Sequence, residues 1–341
     1  MQKKDAGRAM LMTVLAAVLL TACGDRSKPD DASASPTEAE EERTYPFRIT
    51  ATTGMVADTV RQVAGERGTV VAIIGEGVDP HLYVPTRSDV AALMEADIVF
   101  YSGLLLEGKM TDTLIKVAGS RPVHAVTELV DESLLLQPED FAGHFDPHLW
   151  MDVSGWTHAV TAVTEALAAF DPDGADGYRG RAAAYTATLG ELHDYALQAL
   201  GSIPEQQRML VTAHDAFNYF GHAYGLDVAG IQGISTESEA GLDRINRLVD
   251  LLVTRRIAAV FVETTIADRN VRALIEGAAA RGHTVVIGGE LFSDAMGQPG
   301  TYEGTYVGML DHNITTVARA LGGDAPELGF QGRLSHAATG P

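Results

Sequence analysis

The chain has almost no cysteine, since Cys23 is the only one among its 341 residues. A single thiol excludes an intramolecular disulfide framework and any cluster of thiolate metal ligands. Basic residues are also scarce, with 25 Lys and Arg against 46 Asp and Glu and a formal net charge of −21. Nucleic acids and anionic membrane surfaces require clustered positive charge, so this balance argues against both as partners. The chain is nevertheless long enough for two domains with hydrophobic cores.

The first 44 residues predict export and tethering. A basic start and the apolar stretch 9–20, too short to span a bilayer as a mature helix, are typical of a signal peptide, here residues 1–22. The segment Leu-Thr-Ala-Cys that ends at Cys23 resembles the lipobox of bacterial lipoproteins, and a secretory signal with an incidental cysteine is the alternative. We expect a lipidated Cys23 and a disordered acidic linker over 23–44, because this segment has no large apolar side chain to bury. The expected location is therefore extracytoplasmic, with a lipid anchor in the cell membrane.

Short β-like runs alternate with helical patterns in the rest of the chain, which predicts an α/β fold. Such alternation favours two lobes, each with a mostly parallel sheet flanked by helices. The predicted strands lie at 47–51, 69–74, 97–101, 209–212, 258–262 and 284–287.

An Ala-rich segment with little strand character separates the two halves. Apolar side chains recur at spacings of three and four from Ala182 to Ala199, which is typical of one face of a long helix. We therefore expect one long rigid helix that joins the lobes. The expected boundaries are an N-terminal lobe at 45–172, a linking helix at 173–203, a C-terminal lobe at 204–325 and a tail at 326–341.

The tripeptide Asp-Pro-His occurs twice and ends at His81 and His148. Each copy places an imidazole after a proline-stiffened turn with a carboxylate two residues away, which suits a metal ligand whose second ring nitrogen bonds to a carboxylate. His214 and Asp294 also follow predicted strands, at the edge where open α/β sheets bind ligands. A lone histidine is more often a surface residue, and Asp294 alone could be a cap or turn residue. The joint placement, two residues from each half, favours one shared metal site.

Three neutral imidazoles and one carboxylate suit Mn²⁺, Fe²⁺ or Zn²⁺, whereas Ca²⁺ and Mg²⁺ prefer oxygen ligands. We interpret Asp79, Asp146 and Asp215 as residues that orient the neighbouring imidazoles, although Asp215 could equally cap a helix. The remaining histidines are interpreted as structural or surface residues; they are His124, His144, His158, His193, His222, His283, His312 and His336.

Four motifs, in chain order, resemble those of the zinc/manganese ABC-transporter substrate-binding lipoproteins known as cluster A-I. They are Asp-Pro-His-Leu-Tyr-Val-Pro-Thr (79–86), Asp-Pro-His-Leu-Trp-Met-Asp (146–152), His-Asp-Ala-Phe-Asn-Tyr-Phe (214–220) and Ser-Asp-Ala-Met-Gly (293–297). Residues 304–309 and the pair His312-Asn313 are similar to the family's C-terminal helix, so the resemblance covers about residues 46–321.

This resemblance implies two lobes with a rigid linking helix and a transported divalent metal ion in the cleft between them. The ion would be Zn²⁺ or Mn²⁺, with Fe²⁺ as a further option, and its ligands would be His81, His148, His214 and Asp294. The partners would be an ABC permease with its ATPase, and the chain would act as a monomer tethered through Cys23.

Two departures from the family bear on the choice of metal. Zinc-dedicated members often carry a long His- and acid-rich loop before the second ligand, whereas 137–145 is short and holds only His144. The third ligand is a histidine, whereas some manganese-type members have a glutamate there. The first feature argues against a dedicated zinc carrier, and the second lends little support to manganese. Intrinsic affinity favours Zn²⁺ over Mn²⁺ in either case.

Two other functions stay open from the sequence alone. A secreted zinc hydrolase normally keeps one coordination position for water, which four protein ligands would close. Glu263 is the best spare carboxylate for a general base, unless it supports the cleft structurally. The sequence has neither a His-Glu-x-x-His nor a Gly-x-Ser-x-Gly motif, the usual signatures of such enzymes. The other alternative is a surface adhesin with a structural metal ion.

Overall fold

The computed structural model describes residues 45–141 and 143–335. The predicted signal peptide, Cys23, the acidic linker through residue 44 and residues 336–341 of the tail lie outside the described residues. The described residues belong to one compact unit. None of the helices in this part of the chain combines the length and the apolar character that a membrane crossing requires.

Four parallel strands of the N-terminal half form one sheet. They are β1 (Phe47–Ala51), β2 (Gly68–Ala72), β3 (Ile98–Tyr101) and β4 (Val123–Ala125). Their spatial order is β2-β1-β3-β4, with Ile49 of β1 opposite Val70 of β2 and Ile98 of β3. The two central strands are rich in buried, β-branched and aromatic residues, which is typical of a parallel sheet covered on both faces.

The strands of the C-terminal half form two parallel pairs. One pair is β5 (Met209–Thr212) with β6 (Asp227–Gly230), and the other is β7 (Ala259–Glu263) with β8 (Val286–Leu291). β5 packs beside β7, but each pair has its own hydrogen-bonded ladder. The parallel arrangement expected from the sequence is confirmed, and in this half it consists of two short ladders in place of one continuous sheet.

Nine α-helices flank these strands in the described residues. They are α1 (Gly54–Ala64), α2 (Arg87–Glu95), α3 (Thr111–Ala118), α4 (Val153–Phe170), α5 (Ala175–Gly201), α6 (Asn218–Tyr224), α7 (Leu242–Arg255), α8 (Arg269–Ala280) and α9 (Tyr306–Ala320). Side-chain caps fix several starts: Thr86 and Asp89 form a reciprocal capping box on α2, and Asp152 accepts from the N–H of Ser154 on α4.

The long helix α5 is the expected connector between the halves. Its 27 residues begin after a short 3₁₀ turn at Pro172–Gly174, and the apolar face predicted from Ala182 to Ala199 is buried. α5 packs against α1 and α4 on the N-terminal side and against α9 on the C-terminal side. One continuous hydrophobic core therefore contains residues from both halves. Smaller cores lie between the N-terminal sheet and α2 and α3, and between the C-terminal strands and α7 and α8.

An ion pair with a buried carboxylate stabilises the junction between α4 and α5. The carboxylate of Asp171, which is 1% exposed, accepts hydrogen bonds from Arg67 at 2.7 and 2.9 Å. It also accepts from the hydroxyl of Tyr178 at 2.5 Å and from that of Tyr45 at 2.9 Å. These contacts tie the loop before β2 and the start of β1 to the base of the connecting helix.

We predict that Arg67→Met lowers the free energy of unfolding by about 2 kcal/mol. This is less than the range for breaking a fully buried pair, because the Arg67 side chain is 32% exposed. Urea denaturation checks the value. The matched control is Arg48→Met, which removes an exposed pair with Asp97 and should cost less than about 1 kcal/mol. Equal losses in the two variants would contradict the role assigned to Asp171.

Candidate metal centre

The four side chains predicted as metal ligands meet in one buried cluster. One nitrogen or oxygen from each of His81, His148, His214 and Asp294 lies within 4.8 Å of the other three. The Nε2 atoms of His81 and His148 are 3.3 Å apart. The Asp294 carboxylate lies 3.2 Å from Nε2 of His214, 3.4 Å from that of His148 and 3.8 Å from that of His81. None of the four residues is more than 4% exposed.

Three of these side chains lie in segments that follow strands, and two of them lie within three residues of the strand end. His81 lies in the turn region after β2, His214 lies two residues after β5, and Asp294 lies three residues after β8. These positions agree with the general rule that ligands bind beyond the carboxyl ends of parallel strands. His148 is placed differently, because it directly precedes the 3₁₀ turn Leu149–Met151 that leads into α4. The N-terminal half therefore contributes one ligand from the segment after β2 and one that directly precedes the 3₁₀ turn before α4. The C-terminal half contributes two ligands from the segments that directly follow β5 and β8.

The ring of His148 is fixed by Asp146, as the Asp-Pro-His motif predicts. Oδ1 of Asp146 accepts from the main-chain N–H of His148 at 2.9 Å and lies 2.7 Å from Nδ1 of its ring. The other oxygen accepts from the side-chain amide of Asn218 at 3.0 Å. The hydroxyl of Tyr219 donates to the Asp146 carbonyl and accepts from the N–H of Leu136, both at 3.0 Å. With Nδ1 held in this way, Nε2 faces the cluster.

The ring of His214 is fixed by Glu263 at the end of β7. One oxygen of Glu263 accepts from the main-chain N–H of His214 at 2.8 Å, and the other bonds Nδ1 of the ring. Glu263 is 3% exposed and acts as a structural support, which was one of the two roles open to it from the sequence. The role of Asp215 in orienting an imidazole stays a prediction.

His81 is held by its main chain. Oδ1 of Asp79 accepts from the N–H of His81 at 2.8 Å, and Oδ2 accepts from the hydroxyl of Thr236 at 2.5 Å. In the described part of the chain, the one hydrogen-bond contact of the His81 ring is made by Nε2, which lies 3.3 Å from Nε2 of His148. In the first Asp-Pro-His copy, the aspartate therefore fixes only the main chain of the histidine. In the second copy, the aspartate fixes both the main chain and the imidazole ring.

Asp294 is positioned by two neighbours of its loop. The side-chain amide of Asn313, on α9, donates to the carbonyl of Phe292 at 2.6 Å and accepts from its N–H at 2.9 Å. The indole of Trp150 donates to the carbonyl of Ser293 at 2.9 Å. A cavity of about 410 Å³ reaches Asp294 from the surface between this loop and the start of α1.

The charges in the cluster depend on each other. Burial alone would lower the pKa of His148, but the carboxylates of Asp146 and Asp294 outweigh it and raise the pKa to about 9. Burial likewise opposes protonation of His214, yet Glu263 and Asp294 raise its pKa well above the usual value. Burial would raise the pKa of Asp294, but His214 and His148 hold it well below its usual range. The carboxylate and the two rings thus favour one another's charged forms.

His81 differs from the other two histidines. Burial lowers its pKa to about 3, and the carboxylate of Asp294 does not compensate for it. His81 is therefore neutral at physiological pH, with Nε2 free to act as an electron-pair donor.

The donor atoms fit a cation. Nε2 of His214 and both carboxylate oxygens of Asp294 are fully buried. The rings of His148 and His214 lie 3.4 and 3.2 Å from this carboxylate, but none of these three atoms forms a well-aligned hydrogen bond among the described residues. Buried polar atoms are nearly always hydrogen-bonded in native proteins, so such exceptions call for a reason. A metal ion between the three Nε2 atoms and the carboxylate would satisfy all of them. This buried group of three histidines and one aspartate could hold a divalent metal ion.

Sequence reasoning missed the supports that come from distant segments. Asn218 and Tyr219 contact Asp146, and Thr236 contacts Asp79. Asn313 bonds the main chain of Phe292 in the loop of Asp294. Asn218, Tyr219 and Asn313 lie in motifs that the sequence singled out, but their spacing alone does not indicate which loop each one holds.

Comparisons with known proteins identify the family of this chain. The sequence model of the family described as zinc-uptake complex component A, periplasmic (ZnuA), matches residues 49–320. The chain is 43% identical over 312 residues to the manganese-binding lipoprotein MntA of Bacillus subtilis (strain 168), covering 92% of this chain and 98% of MntA. It is 32% identical over 281 residues to the metal ABC transporter substrate-binding lipoprotein FimA of Streptococcus parasanguinis, covering 81% of this chain and 89% of FimA.

The fold also matches a solved structure. The periplasmic zinc binding protein TroA from Treponema pallidum superposes with a TM-score of 0.78 at 45% identity, covering 81% of this chain and 99% of TroA. The chain therefore belongs to the ZnuA family, a family of zinc/manganese ABC-transporter substrate-binding proteins. Similar proteins are named for manganese in one case and for zinc in another.

We predict that Gly230→Ala displaces His214. A Cβ at position 230, the end of β6, would lie 2.4 Å from the amide nitrogen of Asp215 and 2.6 Å from the His214 carbonyl carbon. Because main-chain atoms must move to accommodate it, the free energy of unfolding should fall by about 2 kcal/mol. Chemical denaturation measures this. In the control Gly190→Ala, on α5, the added methyl meets nothing within 4 Å and should add up to about 1 kcal/mol of helix stability. Unchanged stability of Gly230→Ala would contradict the prediction.

Proposed function

We propose that this chain captures one divalent transition-metal ion through His81, His148, His214 and Asp294 and delivers it to an ABC permease for import. The observation that carries the proposal is the set of buried, converging donor atoms within 4.8 Å of one another. The names of similar proteins support it, because they describe metal-binding and ABC-transporter substrate-binding lipoproteins.

The donor set suits Zn²⁺, Mn²⁺ or Fe²⁺ as cargo. Imidazole nitrogens and a carboxylate bind all three, and the affinity of such a site for Zn²⁺ exceeds that for Mn²⁺. The ion carried in the cell then depends on which metal is available outside the membrane as well as on affinity. The relatives' different metals are consistent with a donor set that accepts either.

Hydrolysis is a weaker alternative. Both oxygens of Glu263, the best spare carboxylate for a general base, are bonded to His214. Four protein donors would also fill the four positions of a tetrahedral zinc ion, whereas catalytic zinc keeps a position for water. These contacts favour capture and release of the ion over chemistry on a substrate.

The proposed location and organisation follow the sequence. Residues 1–22 would direct export, Cys23 would carry the lipid, and 23–44 would be a spacer that lets the body reach a permease with its ATPase. The N-terminal lobe would extend over 45–172 and the C-terminal lobe over 204–325, with 173–203 as the linking helix between them. The body would act as a monomer, since each of the four proposed ligands comes from the same chain.

We predict that His148→Ala abolishes stoichiometric metal binding while the fold is kept. Loss of one of four ligands should weaken Zn²⁺ affinity by more than about a hundredfold, beyond the effect of losing a supporting residue. The thermal stabilisation that Zn²⁺ gives the wild type should disappear with it. Isothermal titration and elemental analysis of chelator-free protein measure the binding, and thermal melts measure the stabilisation.

His222→Ala is the matched control for this substitution. His222 is exposed on α6, so its variant should bind Zn²⁺ as the wild type does. In the protein's own host, His148→Ala should also lower metal accumulation under metal limitation. Stoichiometric metal in purified His148→Ala would remove His148 from the ligand set.

We predict that metal binding releases protons at neutral pH. The pKa of His148 is raised to about 9 and that of His214 also lies above its usual value, so both rings carry a proton at pH 7 that the ion must displace. Affinity should therefore rise with pH up to about 9, by about tenfold per pH unit for each proton displaced. Titration calorimetry in two buffers of different ionisation enthalpy measures the release. Identical heats in both buffers would contradict it.

A further inference from the structure

The three histidines of the metal centre are not supported equally. His148 and His214 each have Nδ1 bonded to a carboxylate that also accepts from their own main-chain N–H. Among the described residues no carboxylate bonds Nδ1 of His81. Apart from the contacts of its Nε2 inside the cluster, the hydrogen bond given for this residue is the one that its main-chain N–H donates to Asp79. His81 is therefore the ligand with one supporting hydrogen bond from outside the cluster, whereas His148 and His214 each have two.

That contact depends on the other half of the molecule. The Asp79 carboxylate uses one oxygen for His81 and the other for the hydroxyl of Thr236, at 2.5 Å. Thr236 lies between β6 and α7, on the C-terminal side of the cleft, and is 6% exposed. A hydrogen bond to a buried or half-buried carboxylate is stronger than one between neutral groups. The turn that carries His81 is thus connected across the cleft by one hydroxyl.

A second contact crosses at the adjacent residue. Glu237 lies 2.5 Å from the ammonium of Lys109, next to α3 in the N-terminal half. Both side chains are about half exposed, at 44% and 51%, so the pair contributes little by itself. Its position shows that the segment after β6 meets the N-terminal half at more than one point.

We propose that Thr236 is a positioning residue that sets how fast the bound ion leaves, because its hydroxyl holds the Asp79 carboxylate and thereby the His81 turn. The inference rests on the proposed function in that His81 is taken as a ligand. Loss of the hydroxyl frees the Asp79 carboxylate to rotate, the His81 turn moves away from the cluster, and the ion leaves from a site with three remaining ligands.

The test uses Thr236→Val, which removes the hydroxyl and keeps the shape of the side chain. The full chain is loaded with Zn²⁺ and mixed with a chromogenic chelator in a stopped-flow instrument. The release rate should rise by roughly tenfold, equivalent to about 1.4 kcal/mol, which is close to the lower end of the range for a hydrogen bond to a charged group. The association rate should change by less than about threefold, as for most affinity changes within one site.

Two further variants separate positioning from general destabilisation. Thr236→Ser restores the hydroxyl and should return the release rate to that of the wild type. Thr161→Val removes the same atom from an exposed position on α4, where the hydroxyl bonds only the Thr157 carbonyl, and should leave the rate unchanged. A wild-type release rate in Thr236→Val overturns the proposal, and so does fast release that Thr236→Ser does not correct.

A metal-free measurement distinguishes failure of this inference from failure of the proposed function. Amide hydrogen exchange of His81 in the metal-free protein reports how firmly its N–H is held by Asp79. Exchange should be faster in Thr236→Val and normal in Thr236→Ser. If the wild type binds no Zn²⁺, the proposed function is wrong, and the exchange result still decides whether Thr236 holds the turn. Unchanged exchange in Thr236→Val overturns that role.

Discussion

The burial of the Asp294 carboxylate is the constraint on which the rest of the centre depends. An ionised carboxylate that is 1% exposed is strongly disfavoured unless positive charge or hydrogen bonds surround it. Here Nε2 atoms of His148 and His214 lie within 3.4 Å of it, and they hold its pKa well below the usual range. The same carboxylate raises the pKa of both rings. When no metal ion is bound, the protons on the two rings balance the charge of the Asp294 carboxylate. A divalent cation can replace these two protons.

The two supporting carboxylates fix the orientation of the imidazole rings. Asp146 and Glu263 each bond a ring Nδ1 and the main-chain N–H of the same histidine, which fixes both the ring and the loop that carries it. Each imidazole therefore presents Nε2 in a set direction, and little ordering is required when the ion arrives. The neutral His81, with its pKa lowered to about 3, completes the donor set without adding a proton that the ion would have to displace.

Strong local patterns in the sequence predicted several elements of the fold and two of the candidate ligands. The strand Met209–Thr212 has the predicted bounds, and α5 covers nearly the predicted segment, because a buried apolar run and a long 3.6-residue periodicity are strong local signals. The two Asp-Pro-His copies indicated His81 and His148 because ligand and support lie two residues apart. α4 was not predicted, since its 18 residues are buried on most sides and its apolar pattern has little periodicity. The supports Thr236 and Asn313 act across long sequence separations, and no local pattern encodes them.

The continuous core limits how the ion can be released. α5 packs against helices of both halves, and apolar residues from β1 to the buried Phe330 of the tail join one hydrophobic cluster. A large rotation of one half against the other would expose part of this cluster, at roughly 25 cal/mol for each Å² of apolar surface. Displacement of the His81 turn avoids that cost, because residues 75–82 belong to none of the hydrophobic clusters. The segments beside the other two histidines contribute Trp150 and Phe217 to the continuous core. Of the three histidine-bearing loops, the His81 turn is the one whose ring lacks a carboxylate support in the described structure. The fold therefore favours release by local movement of this turn over opening of the whole molecule.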